Sequence, residues 1–568
     1  MVKLKKFLAL FMGNKKYLPN WEKISINTRV ESDNKKTFLI ATLSGGLLTP
    51  LVFESLLGVS LKSRGHDVEF LLCDGVLSAC IMCAHNVIDE DSYVKDGPKK
   101  FCNSCFINAY NFLKPTKCKI RVLSDYLSDE DELTIKNLSL ENKTLEELKR
   151  YSLENMPIGE HAYAGALRYY GITELDSNKN SKKILIEYLK SGIKSYLASK
   201  KLFEIKKYDE VILNHGIYVP QGIINLAAKE KKINVTNWCP GVRKKSFCLT
   251  RGDTYHRSLI YENNDNWEKI SYNDQIDNRI KNYLNSRTKG KNDWIHWQQK
   301  PDLDIDTFLN KIKIDRNKPI IGLPTNVMWD AQIDFPSNFF KNFLEWVFFT
   351  IDYFSSRADI QLLIRIHPAE VDKTKPARQR LKDEILKKYK SLPSNIFIIE
   401  AENEISTYPL MKICSSVLVY GSRMGVELPA LGTPVIVCGE GFIRNKKIAI
   451  DIISKENYIK VLKELPLKNY KVDIIRAKKY AYHFFFRRMI IVKSVIEKPK
   501  QWPNIDIDKN LNKILNEKSD PGLEKIIKCF EDGNDFIFDD ENFIKNEELD
   551  LKVIHQSVIG VDKLIKEI

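Results

Sequence analysis

The chain has no long hydrophobic run, and no stretch of about 18 or more consecutive apolar residues, the length that crosses a bilayer as a helix, occurs in it. The amino-terminal sequence "MVKLKKFLALFMGNKK" lacks a small-residue cleavage site, so we expect no secretory signal. Its lysines and apolar residues suit either an amphipathic helix on an anionic membrane surface or a frayed basic terminus.

Internal repeats, heptad arrays and low-complexity tracts are also absent. No compact basic patch is interleaved with aromatic residues, which argues against a nucleic-acid-binding module. Lys and Arg number 89 against 74 Asp and Glu, a net charge of +15. Because this surplus is scattered lysine, it predicts a basic surface that attracts nucleotides or anionic membrane rather than a nucleic-acid groove.

The eleven cysteines are spaced unevenly, and four of them form two Cys-x2-Cys pairs, Cys80 with Cys83 and Cys102 with Cys105. Their separation is typical of a zinc ribbon or knuckle. Four thiolate ligands leave no position for water, so a bound zinc ion would be structural. The alternatives are four small buried apolar side chains or an iron–sulfur cluster. Without a secretory signal, this cysteine content predicts a reducing compartment.

Residues 36–262 have the pattern of a parallel α/β domain. The strand "TFLIATL" is followed by the glycine turn "SGGLLTP", an apolar helix and a second strand, "DVEFLLCDG". The strands "DEVILNHG" and "INVTNWCP" follow a lysine- and leucine-rich helical stretch over residues 120–208. This order predicts a Rossmann-like domain in which ligands meet the carboxyl ends of the strands.

A second α/β pattern occupies residues 317–500, after a polar connector over residues 263–316. It contains the short apolar runs "KPIIGLP", "DIQLLIRIHP", "NIFIIEA", "SSVLVYGS" and "TPVIVCG". We therefore predict an α/β protein with two Rossmann-like doubly wound domains that face a cleft. Residues 1–35 are expected to form a basic amino-terminal segment and residues 501–568 carboxyl-terminal helices.

Polar side chains follow three strands of the second domain. Asn326 follows the first strand, Arg365 and His367 end the next, and Ser422 lies where a later strand enters a helix. Because parallel strands end at one edge, these side chains should converge. Free N–H groups at the start of that helix favour a phosphate, and Arg365 and His367 can add charge-assisted donors.

Two charged residues follow in the same helix. Arg423 adds a cation beside Ser422, and the Glu427 carboxylate can accept hydrogen bonds from ribose hydroxyls. Each residue has a structural alternative: Ser422 as a helix N-cap, His367 as a histidine satisfied at a strand end, and Glu427 as a buried ion-pair partner. Their spacing within one expected pocket favours nucleotide binding.

The sequence "RIHPAE", together with "SSVLVYGSRMGVELPALGTPVIVCG" and "IIGLPTNVMWDA", resembles the donor-nucleotide domain of GT-B glycosyltransferases of bacterial capsule and surface-polysaccharide biosynthesis, the Kdo-transferase-like group. "LNHGIYVPQGIINLAAKEKKINVTNW" and "TRGDTYHR" look like its acceptor-side segments. The resemblance, over roughly residues 36–500, implies a GT-B fold and nucleotide-sugar transfer. In members with a His-Pro motif, that histidine and a later serine support the nucleotide phosphate, roles which carry to His367 and Ser422.

Three residues are candidates for the catalytic base. Some members use a short acidic motif followed by glycine, and the loose match here is Asp74 in "CDG". Glu160, beside His161 in "MPIGEHAYAG", and His215 in "NHGIYVPQG" are the others. The position of His215 at the carboxyl end of a strand favours it, because a base must reach the acceptor hydroxyl.

We therefore expect a cytoplasmic glycosyltransferase, with peripheral contact at the inner face of the plasma membrane. It would move a sugar from a CMP- or UDP-linked donor to a surface polysaccharide or a lipid-linked glycan. No Asp-x-Asp motif follows any expected strand, which favours a metal-independent reaction without a required cofactor. The alternatives are a nucleotide-sugar 2-epimerase, which needs no separate acceptor, and a non-catalytic assembly protein that contacts partner enzymes through its cysteine motif.

Overall fold

The computed structural model describes residue 21 and residues 34–85, 89–176, 179–288, 293–294, 301–335, 338–371, 377–497 and 505–539. Most of the basic amino-terminal segment expected at residues 1–35 lies outside the described residues. The same holds for the end of the carboxyl-terminal region, beyond residue 539.

The first sheet contains seven strands: β1 (Thr37–Leu43), β2 (Asp67–Leu72), β3 (Lys119–Val122), β4 (Glu210–Asn214), β5 (Asn234–Pro240), β6 (Ser246–Arg251) and β13 (Met489–Ile491). They are ordered β13-β6-β5-β4-β1-β2-β3. Strands β1 to β5 are parallel, whereas β6 pairs antiparallel with both β5 and β13. A strand from late in the chain therefore completes the first sheet.

The second sheet contains six strands, all parallel: β7 (Ile320–Pro324), β8 (Gln361–Arg365), β9 (Ile396–Ile399), β10 (Ser416–Val419), β11 (Val435–Val437) and β12 (Ile450–Asp451). Their order is β12-β11-β10-β7-β8-β9. A small antiparallel ribbon pairs β14 (Val495–Glu497) with β15 (Ile505–Ile507).

Helices connect the strands: α1 (Leu48–Ser63), α2 (Ile81–His85), α3 (Glu90–Asp96), α4 (Lys99–Leu113), α5 (Asp129–Asn137), α6 (Leu145–Lys149), α7 (Ile158–Tyr170), α8 (Lys179–Ile205), α9 (Gln221–Glu230), α10 (Tyr255–Ile260), α11 (Asp265–Glu268), α12 (Asp274–Thr288), α13 (Ile305–Lys311), α14 (Phe343–Phe354), α15 (Leu381–Lys388), α16 (Thr407–Lys412), α17 (Met424–Ala430), α18 (Lys455–Lys463), α19 (Ile474–Tyr482), α20 (Leu511–Glu517) and α21 (Pro521–Asp532). None of the helices in the described ranges is long and apolar enough to cross a membrane.

The central strands are buried along their whole length. Every residue of β4, β7 and β8 is buried, as expected for parallel strands that helices cover on both faces. This agrees with the continuous apolar runs from which the strands were predicted. The two doubly wound α/β sheets and the carboxyl-terminal helices α20 and α21 confirm the predicted fold class.

The chain crosses between the two lobes, each built on one sheet, twice: after β6 and again before β13. The crossings meet at Glu262, whose side chain is 1% exposed. Its Oε1 is hydrogen-bonded to His483 Nε2 at 2.9 Å and accepts a hydrogen bond from Arg488 Nε at 2.8 Å. Burial opposes ionisation of Glu262, but Arg488 and His483 outweigh it and hold the pKa of that carboxyl well below its usual range. A buried ionic contact thus joins the two crossings.

Candidate active site

Asp330, in the loop after β7, connects the second lobe to the first. Its Oδ1 accepts hydrogen bonds from Arg168 Nη1 at 2.6 Å and from the Tyr218 hydroxyl at 2.8 Å. The Tyr218 oxygen in turn accepts a hydrogen bond from the backbone N–H of Ala331 at 2.8 Å. Arg168 belongs to α7 and Tyr218 follows β4, so the carboxylate lies where the lobes meet.

The Asp330 carboxylate is ionised. Burial opposes its ionisation, but the Arg168 guanidinium and the Tyr218 hydroxyl outweigh this effect and lower the pKa of Asp330 to about 2. The side chain remains 50% exposed, so its negative charge faces the cleft between the lobes. The next residue, Ala331, has a φ of 52°, a left-handed conformation that non-glycine residues rarely adopt and that tertiary contacts must hold in place.

Three histidines share the electrostatic environment of this carboxylate: His215 after β4, His256 in α10 and His367 after β8. Burial lowers the pKa of His215 to about 4 and those of His256 and His367 to about 3. All three imidazoles are therefore neutral at pH 7, and each has one ring nitrogen that can accept a hydrogen bond.

His215 combines backbone strain with an unsatisfied nitrogen. Its φ is 66°, which for a non-glycine residue is strain of a kind that clusters at functional sites. Its ring centroid lies 5.5 Å from that of Tyr255 and 6.1 Å from that of Tyr218. Its Nδ1 is buried and has no hydrogen-bond partner in the described part of the chain. This nitrogen can therefore accept a hydrogen bond from a bound hydroxyl.

The backbone of Ala369 holds the His367 ring in one tautomer. The backbone N–H of His367 donates to Thr325 Oγ1 at 2.8 Å, and His367 Nδ1 accepts a hydrogen bond from the Ala369 N–H at 3.1 Å. With Nδ1 acting as an acceptor, the proton of the neutral ring is on Nε2. The imidazole therefore has an N–H donor, which a phosphate oxygen requires.

The loop between β10 and α17 brings further polar groups to the same edge. The Gly421 N–H donates to Asn326 Oδ1 at 3.4 Å, and the Met424 N–H donates to Ser422 Oγ at 3.3 Å. Asn326 and Ser422 therefore lie at one edge of the sheet, as predicted from their strand ends. Because α17 is only seven residues long, a phosphate here would depend mainly on charged side chains.

Arg423 supplies such a charge. Its side chain is exposed, and no carboxylate among the described residues forms an ion pair with it. It lowers the pKa of His367 in its own lobe and of His256 in the other. A single guanidinium thus acts on both sides of the cleft.

Two of the predicted nucleotide ligands point into the fold. The Arg365 side chain is buried, and its guanidinium donates to the backbone carbonyls of Ile366, Glu400 and Asn403. Glu427 is also buried and forms an ion pair with Arg287 of α12 at 3.0 Å. Both nevertheless lie near cleft residues: after burial and Arg423, Arg365 lowers the pKa of His367, while Arg287 and Arg423 oppose the rise that burial causes in the pKa of Glu427. The ion pair with Arg287 is the structural alternative considered for Glu427.

Glu160 is bound in a contact between the lobes. Its Oε1 accepts hydrogen bonds from Arg257 Nη2 at 2.6 Å and from the Asp334 N–H at 2.9 Å. The neighbouring His161 has its Nδ1 hydrogen-bonded to the Ile217 carbonyl. Among the three candidate bases, these contacts leave Glu160 less suited than His215 to receive a proton.

Asp74, the third candidate base, lies after β2 beside a cavity of about 40 Å³. It accepts a hydrogen bond from the Ser124 hydroxyl. The cavity is lined by five cysteines, namely Cys73, Cys80, Cys83, Cys102 and Cys105. Among the described residues no group of three or more His, Cys, Asp or Glu side chains is already arranged to hold a metal ion. The zinc site therefore stays a prediction.

Sequence reasoning missed Arg168, Tyr218 and His256. Tyr218 lies three residues after His215 in "NHGIYVPQG", and His256 lies in "TRGDTYHR". Both residues therefore lie in segments that the resemblance covers. Arg168 lies in the last turn of α7, with no distinguishing pattern around it. Its role depends on a contact between lobes, which a local motif does not encode.

No model of a known protein family matches the chain, and no curated protein matches its sequence. Solved structures do match, among them the beta Kdo 2,4 transferase KpsC of Thermosulfurimonas dismutans. It is 12% identical with a TM-score of 0.33, over 55% of this chain and 87% of that one.

Two further matches are enzymes of other kinds. UDP-GlcNAc 2-epimerase from Neisseria meningitidis is 12% identical with a TM-score of 0.24, over 78% of this chain and 97% of that one. Sucrose-phosphate synthase from Thermosynechococcus elongatus is 9% identical with a TM-score of 0.27, over 79% and 95% of the two chains. At these values the likeness carries no information about activity, which has to be argued from the cleft itself.

Proposed function

We propose that this chain is a glycosyltransferase that binds a nucleotide-sugar against the second lobe and transfers the sugar to a hydroxyl held by the first. The observation that carries the proposal is the arrangement around Asp330. A carboxylate fixed by Arg168 and Tyr218 has neutral histidines from opposite lobes, His215 and His367, in its electrostatic environment.

The second lobe binds the donor phosphate in this proposal. His367 offers its Nε2–H and Arg423 its guanidinium, and both can stabilise the negative charge that the leaving nucleotide gains as the glycosidic bond breaks. Asn326 and Ser422 position the backbone of the same edge. Because cationic and neutral donors of the chain supply this stabilisation, we propose a metal-independent transfer that requires no cofactor.

His215 is the base in this proposal. As the acceptor oxygen attacks the sugar carbon, His215 Nδ1 takes the hydroxyl proton, the bond from sugar to phosphate breaks, and the nucleotide leaves with its electron pair. The resulting imidazolium is stabilised by the Asp330 carboxylate, which raises the pKa of His215 against burial and the Arg168 guanidinium, the two effects that lower it. Asp330 thus acts on the base rather than on the sugar.

The substrate classes follow from charge and from the resemblance. We propose a CMP- or UDP-linked donor and, as acceptor, a surface or capsular polysaccharide or a lipid-linked glycan. The net charge of +15 supports an anionic partner. We also propose a cytoplasmic location, with peripheral contact at the inner face of the plasma membrane.

A nucleotide-sugar 2-epimerase remains the second candidate, because a carboxylate and three neutral imidazoles in one cleft can also exchange a proton with a sugar carbon. The two activities differ in their need for an acceptor. Isomerisation of a nucleotide-sugar without any acceptor would support the epimerase, whereas release of nucleotide only with a glycan acceptor would support transfer.

A thermal-shift screen with CMP, CDP, UDP and GDP tests the donor site, because a ligand that binds only the folded state raises the melting temperature. We expect one nucleotide to stabilise the wild type, and His367→Ala to lose that shift. His66→Ala should retain the shift, because His66 immediately precedes β2, at the edge of the first sheet opposite to the cleft. Failure of every nucleotide to stabilise the wild type, or an undiminished shift in His367→Ala, would overturn the donor-site assignment.

A further inference from the structure

The five cysteines around the 40 Å³ cavity come from three separate segments. Cys73 follows β2, Cys80 and Cys83 lie at the start of α2, and Cys102 and Cys105 lie on α4. The other lining residues include Leu77, Ile81, Met82, Pro98 and Phe101. A chain with eleven cysteines thus has nearly half of them around one small space. Random burial of small apolar side chains does not explain this clustering.

The cysteines of both pairs line the same cavity. Cys105 Sγ lies 3.6 Å from Ser44 Oγ at the end of β1. Cys102 and Cys105 are three residues apart on a helix, a spacing that places both on the same face. Each Cys-x2-Cys pair therefore presents two thiols to the same space.

Glycines allow the segments to approach this closely. A Cβ on Gly45 would lie 2.2 Å from the Cys105 carbonyl oxygen, and a Cβ on Gly75 would lie 3.2 Å from Cys102 Cβ. Gly75 also has a φ of +96°, which favours glycine. The backbone around the cavity thus seats the cysteine-bearing part of α4 against the loops after β1 and β2.

The cavity volume bears on which ligand fits. About 40 Å³ holds a few water molecules, since one water needs roughly 10–15 Å³ on this measure. Such a space suits a single ion with Zn–S distances of about 2.3 Å better than an iron–sulfur cluster, which contains several metal and sulfide atoms. Four thiolates satisfy the tetrahedral preference of Zn²⁺.

We propose that Cys80, Cys83, Cys102 and Cys105 bind one Zn²⁺ ion in this cavity, with Cys73 as a neighbouring thiol outside the coordination shell. Because the thiols are not yet gathered around one point, ligation requires their side chains to rotate toward the centre. The ion ties α2 and α4 to the carboxyl edge of the first sheet. This inference is independent of the proposed sugar transfer.

The site lies on the same edge as His215. Pro220 and Gln221, at the start of α9, also line the cavity, and they close the segment that begins with His215 after β4. The bound ion would therefore hold the wall of the first lobe beside the cleft in a fixed position.

Elemental analysis of the full-length chain, purified under reducing conditions from zinc-supplemented cells, tests the proposal. We expect about one zinc per chain in the wild type, as for a site of this class. Cys80→Ser and Cys102→Ser should lose the zinc. Cys73→Ser should retain it, as should the matched control Cys118→Ser, whose thiol lies in the same lobe outside the cavity.

A second measurement covers variants that fail to fold. Titration of the metal-free wild type with Co²⁺ should give the strong thiolate-to-cobalt absorption of a tetrahedral thiolate site, and added Zn²⁺ should remove it. The absence of both zinc and a cobalt signal would overturn the proposal. So would iron in place of zinc, a Cys80–Cys83 disulfide detected by thiol titration, or loss of zinc in Cys73→Ser with retention in Cys83→Ser.

Discussion

The carboxyl edges of the two sheets differ in how their polar groups are held. At the second-lobe edge, His367 and Asn326 are hydrogen-bonded to backbone N–H groups, and the His367 N–H donates to Thr325. At the first-lobe edge, buried side-chain atoms without a hydrogen-bond partner within the described residues include His215 Nδ1, His256 Nδ1, Gln221 Oε1 and Asn225 Oδ1. At the second-lobe edge they include Arg365 Nε and the carboxylate oxygens of Glu427.

Buried polar atoms without partners cost free energy, so their concentration indicates groups that a ligand or water satisfies. At the second-lobe edge, backbone hydrogen bonds preorganise His367 and Asn326, as binding a phosphate requires. The first-lobe edge has acceptors without hydrogen bonds around His215 itself, as suits a site that holds hydroxyls. This contrast supports the proposed division of donor and acceptor between the lobes.

The largest expected effect is that of His215→Ala. If His215 takes the acceptor proton, its loss should lower kcat for sugar transfer by about 10²–10⁴-fold. The nucleotide-induced thermal shift should be unchanged, because the donor binds the other lobe. A steady-state transfer assay combined with the thermal-shift screen measures both. An unchanged kcat would contradict the role of His215 as the base, and loss of the nucleotide-induced thermal shift would contradict donor binding at the second lobe alone.

Asp330→Asn should have the next largest effect. The asparagine can still accept the Tyr218 hydrogen bond, but it removes the negative charge that faces the buried Arg168 guanidinium. Because Asp330 is half exposed, water compensates in part, and we expect a loss of about 1–2 kcal/mol in the free energy of unfolding. Urea denaturation measures it. The control is Asp334→Asn, which preserves the backbone contacts of Asp334 with Glu160 and Arg257.

Acidification should destabilise the folded chain. His215, His256 and His367 have pKa values of about 4, 3 and 3, below the 6.5 of an unperturbed histidine. Between pH 6.5 and about 4 the unfolded state binds protons that the folded state does not, so stability falls as the pH falls through this window. Urea midpoints across this range should show the trend. His256→Phe, which keeps an aromatic ring beside Phe442, should reduce the slope, and an unchanged slope would contradict the burial of a neutral His256.

Ser422→Ala should have the smallest effect on stability, about 1 kcal/mol, because among the described residues the serine oxygen accepts the Met424 N–H alone. Ser454→Ala provides the control, since Ser454 is the N-cap of α18 and also accepts one backbone N–H, that of Asn457 at 3.1 Å. Both variants should lose similar stability in urea denaturation. Only Ser422→Ala should weaken the nucleotide-induced thermal shift, and equal shifts in both would restrict Ser422 to a capping role.

The sequence predicted the sheets and the strand ends but not every side-chain direction. His367 and Ser422 could be placed because the rigid Pro368 and the strand-to-helix turn fix where they lie. Arg365 belongs to the same strand end, yet its guanidinium binds carbonyls of the loop after β9. That packing depends on residues far away in sequence, which no local pattern reveals.

Contacts between the lobes could not be predicted from local sequence patterns either. Arg168 and Asp330 are separated by 162 residues and meet only because the lobes face each other. The pairing of β13 with β6 is another example, since a three-residue strand late in the chain has too little pattern to be assigned to the first sheet. The order of strands and helices within each lobe was predictable from the sequence, whereas the contacts between the lobes were not.

The buried contact of Glu262 with His483 and Arg488 has a consequence for motion. Two separate chain crossings would let the lobes slide past each other, but here ion pairs of Arg488 with Glu262, Arg476 with Glu268 and Lys478 with Asp277 hold the crossings side by side. Sliding of one crossing along the other would break these pairs, so we expect the lobes to move by rotation about the paired crossings. Such a rotation would return the His215 and His367 edges to the same register each time the cleft closes.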